Sequence, residues 1–406
     1  MQHRLLIAST CLLALLSTIG ASLAYPLLPP LFSGAQANAL NSFLGLPPKL
    51  LFGIALMANP IGMLLGSAVL GSLSDTLGRR RMLLLTTLGA AAGHLLTAYA
   101  LLAQSYALLV AARFVTGILE GNSAILRALL ADRLQGPLRN HALSWLNGAF
   151  HLGWLAGPLL SGLSAAYSLT LPFYVAAGGL LLGAILTLAV LEPGVPDAPA
   201  GAGRGWWSLA RERHAFTLLR HGPLRTLFLI YLAYSCGVAG FYAFFPMWLV
   251  EVGGYDAAGI ALVNMAMCGV MTLTAVFAGR AHAMDARLRA SGQAGAVALA
   301  ILGVGIGNLW VGMAAIVVFG LPHAFYNATL QAWVAEHFAS HGQGAVMGLL
   351  STTFCLAHVV MAFGGGLLAL ADTRLVLVAG GLLAAWAAFS MRRWSRQAAP
   401  TRQEFA

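Results

Sequence analysis

Gly71-Ser-Leu-Ser-Asp75-Thr-Leu-Gly78-Arg79-Arg80-Arg81 is a short polar interruption in a chain that is otherwise apolar on both sides of it. A carboxylate, a turn glycine and consecutive arginines stand between two long apolar segments, roughly 50–74 and 82–104. That is where a chain would leave a bilayer and re-enter it. Working outward, apolar runs near the ~20 residues a helix needs to cross the hydrocarbon recur along the whole length. Twelve are read: roughly 5–28, 50–74, 82–104, 106–130, 139–165, 171–191, 225–249, 257–279, 292–308, 310–333, 344–369 and 373–391. The ninth, around Ala296–Gly307, is short and rich in glycine. Backbone groups in hydrocarbon must pair within their own segment, so these spans are predicted to be helices.

Composition agrees. The chain has 406 residues, 59% hydrophobic and 8% charged, against about 25% charged in soluble proteins. Met1–Ala24 carries Arg4, an apolar core and a small-x-small end at Ser22-Leu-Ala24, as a signal peptide would. Its apolar run exceeds the ~7–15 residues of a signal core, so it is read as span 1. The formal charge of +10 raises a nucleic-acid reading, which the distribution excludes. Arg4, Arg79–81, Arg133, Arg139, Arg204, Arg211, Arg213, Arg220, Arg225, Arg280, Arg287, Arg289, Arg392, Arg393, Arg396 and Arg402 fall in alternate loops and at both ends, and Lys49 and Arg374 opposite them. That is the positive-inside rule, with an even number of spans and both termini cytoplasmic. Cys11, Cys236, Cys268 and Cys355 lie inside spans without the spacing of a metal or redox site, and no cofactor is expected.

The longest polar break, Glu192–Pro223, opens with Pro193, Pro196 and Pro199 and turns basic, with Trp206 and Trp207 suited to a membrane surface. It divides the chain into a six-helix bundle at 1–191, a cytoplasmic linker at 192–223, a second bundle at 224–391 and a cytoplasmic tail at 392–406. Ala124–Asp132 aligns without gaps on Ala328–Glu336, and the same register pairs Leu146 with Leu350, Phe150 with Phe354 and Gly162 with Gly366. A constant offset favours a duplicated six-helix unit, with a binding site at the repeat interface.

Three motifs carry a resemblance. Gly71-x-Leu73-Ser-Asp75-x-x-Gly78-Arg79-Arg80 resembles the loop 2–3 signature of the major facilitator superfamily, with Thr76 where a basic residue is common. Arg113-Phe-Val-Thr-Gly117 is similar to the Arg-x-x-x-Gly motif of its proton-coupled members. Gly153-x3-Gly157-Pro158-x2-Ser161-Gly162 resembles the antiporter motif of its twelve-span drug:proton exporters, with Ser161 and Ser144 replacing glycines. The resemblance implies an all-α membrane protein of twelve helices in two pseudo-symmetric six-helix bundles, in a bacterial inner membrane, acting as a monomer. It also implies a lock at the cytoplasmic ends of spans 2 and 4, where Arg79 and Arg80 bridge Asp75 and Asp132. A topology-fixing charge cluster is the plainer reading of those residues. Pro158, inside its helix, removes a backbone bond and favours a bend.

Ionisable residues within the membrane are expensive and therefore site candidates. Of the 12 acids, Glu120 alone is read as mid-span, about 21 Å into span 4 at 1.5 Å per residue. Arg113 lies two turns earlier on the same face, and His94, His151, His323 and His358 are also near mid-span. In the resembled family spans 1, 4, 7 and 10 line the cavity, which would set Glu120 and His323 across it and leave His94, on span 3, as a packed histidine. Low dielectric drives a carboxyl towards its neutral form and a nearby cation restores the charged one, so Glu120 is read as the carrier of a coupling proton. The alternative is a static Glu120–Arg113 ion pair.

Span 7 is aromatic (Tyr231, Tyr234, Phe241, Tyr242, Phe244, Phe245), with Trp145 and Trp154 on span 5 and Phe325, Tyr326 and Asn327 on span 10. Such a lining suits amphiphilic organic molecules, while Arg113 and the histidines leave room for an anionic or siderophore-like one. The expectation is a proton-coupled exporter, its candidate site being Glu120, Arg113, His323, Tyr242 and Asn327. Rival readings are an importer of a nutrient or organic anion and a non-transporting receptor. No HExxH, nucleophile motif or paired intramembrane carboxylates speak for an enzyme.

Overall fold

The computed structural model describes residues 2–33, 37–191, 215–277, 285–338 and 343–397. Most of the expected linker, including Trp206 and Trp207, and most of the tail lie outside the described residues. So do the side chains of Asp75 and His151, and position 71 is described only as helical backbone. Among the described residues the regular structure is entirely helical. The first unit holds α1 (Gln2–Ser22), α2 (Ala24–Phe32), α3 (Pro48–Leu77), α4 (Arg79–Leu102), α5 (Tyr106–Glu120), α6 (Ser123–Arg133), α7 (Gly136–Ala165) and α8 (Leu171–Val190). The second holds α9 (Gly222–Gly253), α10 (Ala257–Phe277), α11 (Ala286–Ile306), α12 (Leu309–His337), α13 (Gln343–Leu368) and α14 (Thr373–Arg396). By compactness the chain divides at His214/Ala215.

Eleven helices or helix pairs among the described residues are long and apolar enough to cross a membrane. α7, with 30 residues, is the twelfth by length. It runs unbroken through Pro158, so no break accompanies the missing N–H. The ninth span is a full helix, α11, which starts at Ala286, ahead of the apolar run. Outward-facing positions such as Leu182, Ile185, Leu299 and Phe389 are exposed, the arrangement that lipid tails favour and water does not.

Both units pair their helices in the same way. In the first, the α1–α2 pass packs on α7, α3 on α5, and α4 on α5 and α8, with α1 also touching α8. In the second, α9 packs on α13, α10 on α12, and α11 on α12 and α14, with α9 also touching α14. Span by span the two sets coincide, which is the packing of a duplicated six-helix unit.

One pass of the first unit is broken and another is locally irregular, features absent from the span reading. The first pass loses regular hydrogen bonding at Leu23, between α1 and α2, although Leu23 itself keeps helical φ and ψ of −56° and −33°. Pro26 lacks the N–H that would reach Ser22, and a proline disfavours helical geometry at the residue before it. The fourth is interrupted at Gly121-Asn122, whose backbone leaves helical geometry immediately after Glu120. Broken helices at membrane depth are tolerated where protein re-satisfies the freed groups. Here Gly121 N–H turns back to Gly117 and Ile118 carbonyls at 3.1 and 3.3 Å, and Asn122 Nδ2 donates to Ser17 Oγ at 3.1 Å.

Candidate functional site

Close packing builds the polar centre of the first unit. A Cβ at Gly66 would strike the Ile118 carbonyl, one at Gly117 the Asn59 carbonyl, and one at Gly121 would lie 2.7 Å from Ser67 N. The absence of those methyls lets α3 and α5 touch along their backbones, as small residues do in membranes. That contact delivers Asn59 to Glu120. Asn59 Nδ2 donates to Glu120 Oε2 at 2.8 Å and reaches the Arg113 carbonyl at 3.5 Å.

The other carboxylate oxygen belongs to His94. Its Nε2 lies 2.9 Å from Glu120 Oε1, and both side chains are 0% exposed. α1 presents Gly20 against this pair: an added Cβ would overlap His94 Nε2 and stand 2.6 Å from Glu120 Oε1. The Phe173 ring of α8 flanks the imidazole at 6.2 Å. His94 Nδ1 is buried and, among the described residues, has no hydrogen-bond partner.

Arg113 is buried beside them. Its Nη2 donates to the Ala21 carbonyl at 2.8 Å, close to the irregularity at Leu23, while Nε and Nη1 have no hydrogen-bond partner. The static Glu120–Arg113 bond is therefore not the arrangement present; the direct partners of Glu120 are His94 and Asn59. His94, expected as a packed histidine, is packed, and its direct partner is Glu120. Asn59 on α3, the second partner of Glu120, is not among the residues that the sequence singles out.

In the second unit α9 and α12 build a separate cluster. His323 Nδ1 lies 2.8 Å from Tyr234 Oη and its Nε2 3.0 Å from Asn327 Nδ2. Phe319 stacks on the imidazole at 5.0 Å and Tyr326 on Tyr234 at 3.7 Å. Tyr242 approaches the His323 ring edge-on at 6.1 Å, but its hydroxyl goes to Met271 Sδ at 3.5 Å. Tyr234, rather than Tyr242, is the hydroxyl partner of His323. His358 Nδ1 is 2.9 Å from the Phe354 carbonyl of its own helix.

At the loop of the opening motif, Gly78 has φ +88°, a conformation glycine takes without penalty, and it joins α3 directly to α4. The turn aims Arg79 at α6: its Nε is 3.2 Å from Asp132 Oδ2, and its Nη1 meets Ser74 Oγ. Among the described residues Arg80 turns elsewhere. Its Nη2 donates to the Leu188 carbonyl on α8 at 3.0 Å. On α7, Gly153 and Gly157 back onto Thr18 and Ser22 of α1, where a Cβ would overlap both hydroxyls, and Ser22 Oγ donates to the Gly153 carbonyl at 3.3 Å. Pro158 and Gly162, further along α7, are buried. Among the described residues no three His, Cys, Asp or Glu groups converge as a metal site would need.

The sequence profile of the Major Facilitator Superfamily matches residues 10–362. Curated relatives include the class B and class C tetracycline resistance proteins of Escherichia coli. They are 30% identical over 181 residues and 36% over 178, covering 44% and 42% of this chain. Those alignments span only 41% and 42% of the relatives' own lengths. A longer match is to major facilitator superfamily domain-containing protein 10 of Bos taurus, 25% identical, over 85% of this chain and 83% of that protein. Among solved structures, the human organic anion transporter MFSD10 superposes with TM-score 0.71 at 20% identity, covering 96% of this chain and 99% of the other. A D-xylose-proton symporter superposes with TM-score 0.73 at 15% identity, covering 98% of each.

Proposed function

The chain belongs to the major facilitator superfamily of membrane transporters, and on that premise we propose that it is a proton-coupled exporter of small amphiphilic organic molecules. It works by alternating access in a bacterial inner membrane, with both termini in the cytoplasm. The observation that carries proton coupling is the fully buried Glu120 carboxylate, held by His94 and Asn59. An ionised carboxylate is costly at that depth unless partnered, so its protonation state is tied to the geometry of its partners. The Arg79–Asp132 bridge is read as part of the lock that opens when the cytoplasmic side opens. Export is supported by the tetracycline resistance relatives and by a multidrug resistance relative, MdtG of Serratia proteamaculans, 34% identical over 156 residues. An amphiphilic substrate is supported by the aromatic α9 and α12 faces around His323.

Transport of an organic anion is a second reading. It is favoured by Arg113, whose Nε and Nη1 have no hydrogen-bond partner; such donors suit a carboxylate or enolate. One experiment separates the readings. Cells expressing wild type or Glu120→Gln are given lipophilic cations, neutral antibiotics and anionic chelators, with and without a protonophore. Proton-driven export lowers accumulation of one class in wild type, and both the variant and the protonophore abolish the effect. Higher accumulation in wild type reverses the direction to import. Export by Glu120→Gln at the wild-type rate removes Glu120 from coupling.

A further inference from the structure

We infer that the coupling proton is handled by His94 and Glu120 as one unit, with His94 Nδ1 as the atom where the proton enters. This deepens the proposed function and rests on its reading of Glu120 as proton carrier. The geometry that assigns it is local and specific. His94 Nε2 and Glu120 Oε1 are 2.9 Å apart with both side chains sealed from solvent. Gly20 makes room for the pair, and Asn59 occupies the second carboxylate oxygen at 2.8 Å. Every polar atom of the pair is thereby engaged except Nδ1.

Among the described residues the charged group in contact with His94 is Glu120, and Arg113 lies further along α5, donating to the Ala21 carbonyl. α1 meets the pair through Gly20, α3 through Asn59 and α8 through the Phe173 ring. The arginines of α4 itself, Arg79–Arg81, sit at its opposite end.

The orphan nitrogen sorts the protonation states. With neutral His94 carrying its proton on Nε2, that N–H donates to the Glu120 carboxylate, and Nδ1 is a bare acceptor. A proton arriving at Nδ1 forms a new N–H bond there. The Nε2–H bond breaks and the proton crosses to Glu120 Oε1. The pair has then gained one proton and lost its negative charge. It is left as a neutral imidazole facing a carboxylic acid. In that loaded state Nδ1–H is a buried donor without an acceptor, the costlier kind of unsatisfied group. Protonation thus favours any other arrangement of α4, α5 and α1 in which Nδ1–H finds an acceptor. Loading the proton and moving the helices become one event.

The test is infrared difference spectroscopy of the full-length protein in detergent, titrated between acid and alkaline pH, for wild type, Glu120→Gln and His94→Gln. Glutamine keeps an N–H able to reach Oε1 but has no titrating nitrogen. In wild type, a carboxyl band that Glu120→Gln removes is expected to titrate together with imidazole bands marked by ring-15N histidine. In His94→Gln the carboxyl band is expected to titrate at a different pH from wild type, as when a close partner is lost. A Glu120-dependent band that titrates identically in wild type and His94→Gln overturns the role of His94 and leaves Glu120 standing. Absence of any Glu120-dependent band in wild type overturns both readings. If His94→Gln does not fold, the labelled wild type and Glu120→Gln decide: label-sensitive bands that titrate apart from the carboxyl band, or that are unchanged in Glu120→Gln, refute the pair.

Discussion

Gly20→Ala tests the packing argument for the centre of the first unit. The added methyl would stand 2.6 Å from Glu120 Oε1 and 2.8 Å from His94 Cε1, and closer still to His94 Nε2. Restoring ordinary contact near ~3.5 Å requires a retreat of about 0.7–1.2 Å. The His94–Glu120 bond, now 2.9 Å, then passes the limit of a hydrogen bond. Overpacking costs about 1–3 kcal/mol, and loss of a hydrogen bond to a charged group about 1.5–3 kcal/mol. Together they predict a loss of roughly 2.5–6 kcal/mol. In a His94→Ala background the methyl enters space the ring has vacated and, of its three nearest atoms, keeps only Glu120 Oε1, so the penalty should fall to about 1 kcal/mol, the low end of overpacking. The double-mutant cycle should therefore show a coupling of at least ~1.5 kcal/mol, within the range seen for residues in contact. Detergent-denaturant unfolding followed by tryptophan fluorescence reads all four proteins. An equal Gly20→Ala penalty in both backgrounds would refute the claim that this glycine exists to admit the pair.

Asn59→Leu leaves Glu120 Oε2 without its donor and should cost about 1–3 kcal/mol, read in the same unfolding assay; no change would mean that the bond is not formed. Arg79→Ala should cost less than ~1 kcal/mol, because the bridge to Asp132 is partly exposed, yet should alter the transport rate. The charge swap Arg79→Asp with Asp132→Arg should restore part of that rate, and a swap no better than either single change would argue against a lock. Gly117→Leu should prevent α3 from meeting α5 and abolish folded protein, measured by monodisperse elution. Gly148→Ala, which meets no atom within 4 Å, should stay within about 0.5 kcal/mol of wild type.

Helices and their order were legible because length and hydropathy report membrane spans directly, and the loop around Asp75 fixed their phase. The irregularity at Leu23 and the break after Glu120 were not. Pro26 and the run Gly121-Asn122-Ser123 carry turn chemistry, but apolar neighbours on both sides hide it within a continuous span. Glu120 stood out because it is a mid-span acid. His94 did not, since nothing in the spacing of residues 94 and 120 reveals contact between α4 and α5; that contact depends on Gly20 and on the glycine seam of α3 and α5. Arg79 and Arg80 were read together as bridging Asp75 and Asp132; successive residues at a helix start point about 100° apart, and among the described residues Arg79 reaches Asp132 while Arg80 donates to the Leu188 carbonyl of α8.

The interruption after Glu120 makes α6 a short rigid arm with the carboxylate at its root and Asp132 near its tip. Its 11 residues span about 16 Å, so a swing of roughly 10° at Gly121-Asn122 would sweep the tip through about 3 Å. The Arg79–Asp132 separation is 3.2 Å, and such a sweep is enough to part it. A displacement at the root too small to disturb the packing of α5 would thus be magnified at the tip into a whole bond length. One dipeptide would gear the buried carboxylate to the charged bridge at the far end of the 11-residue α6.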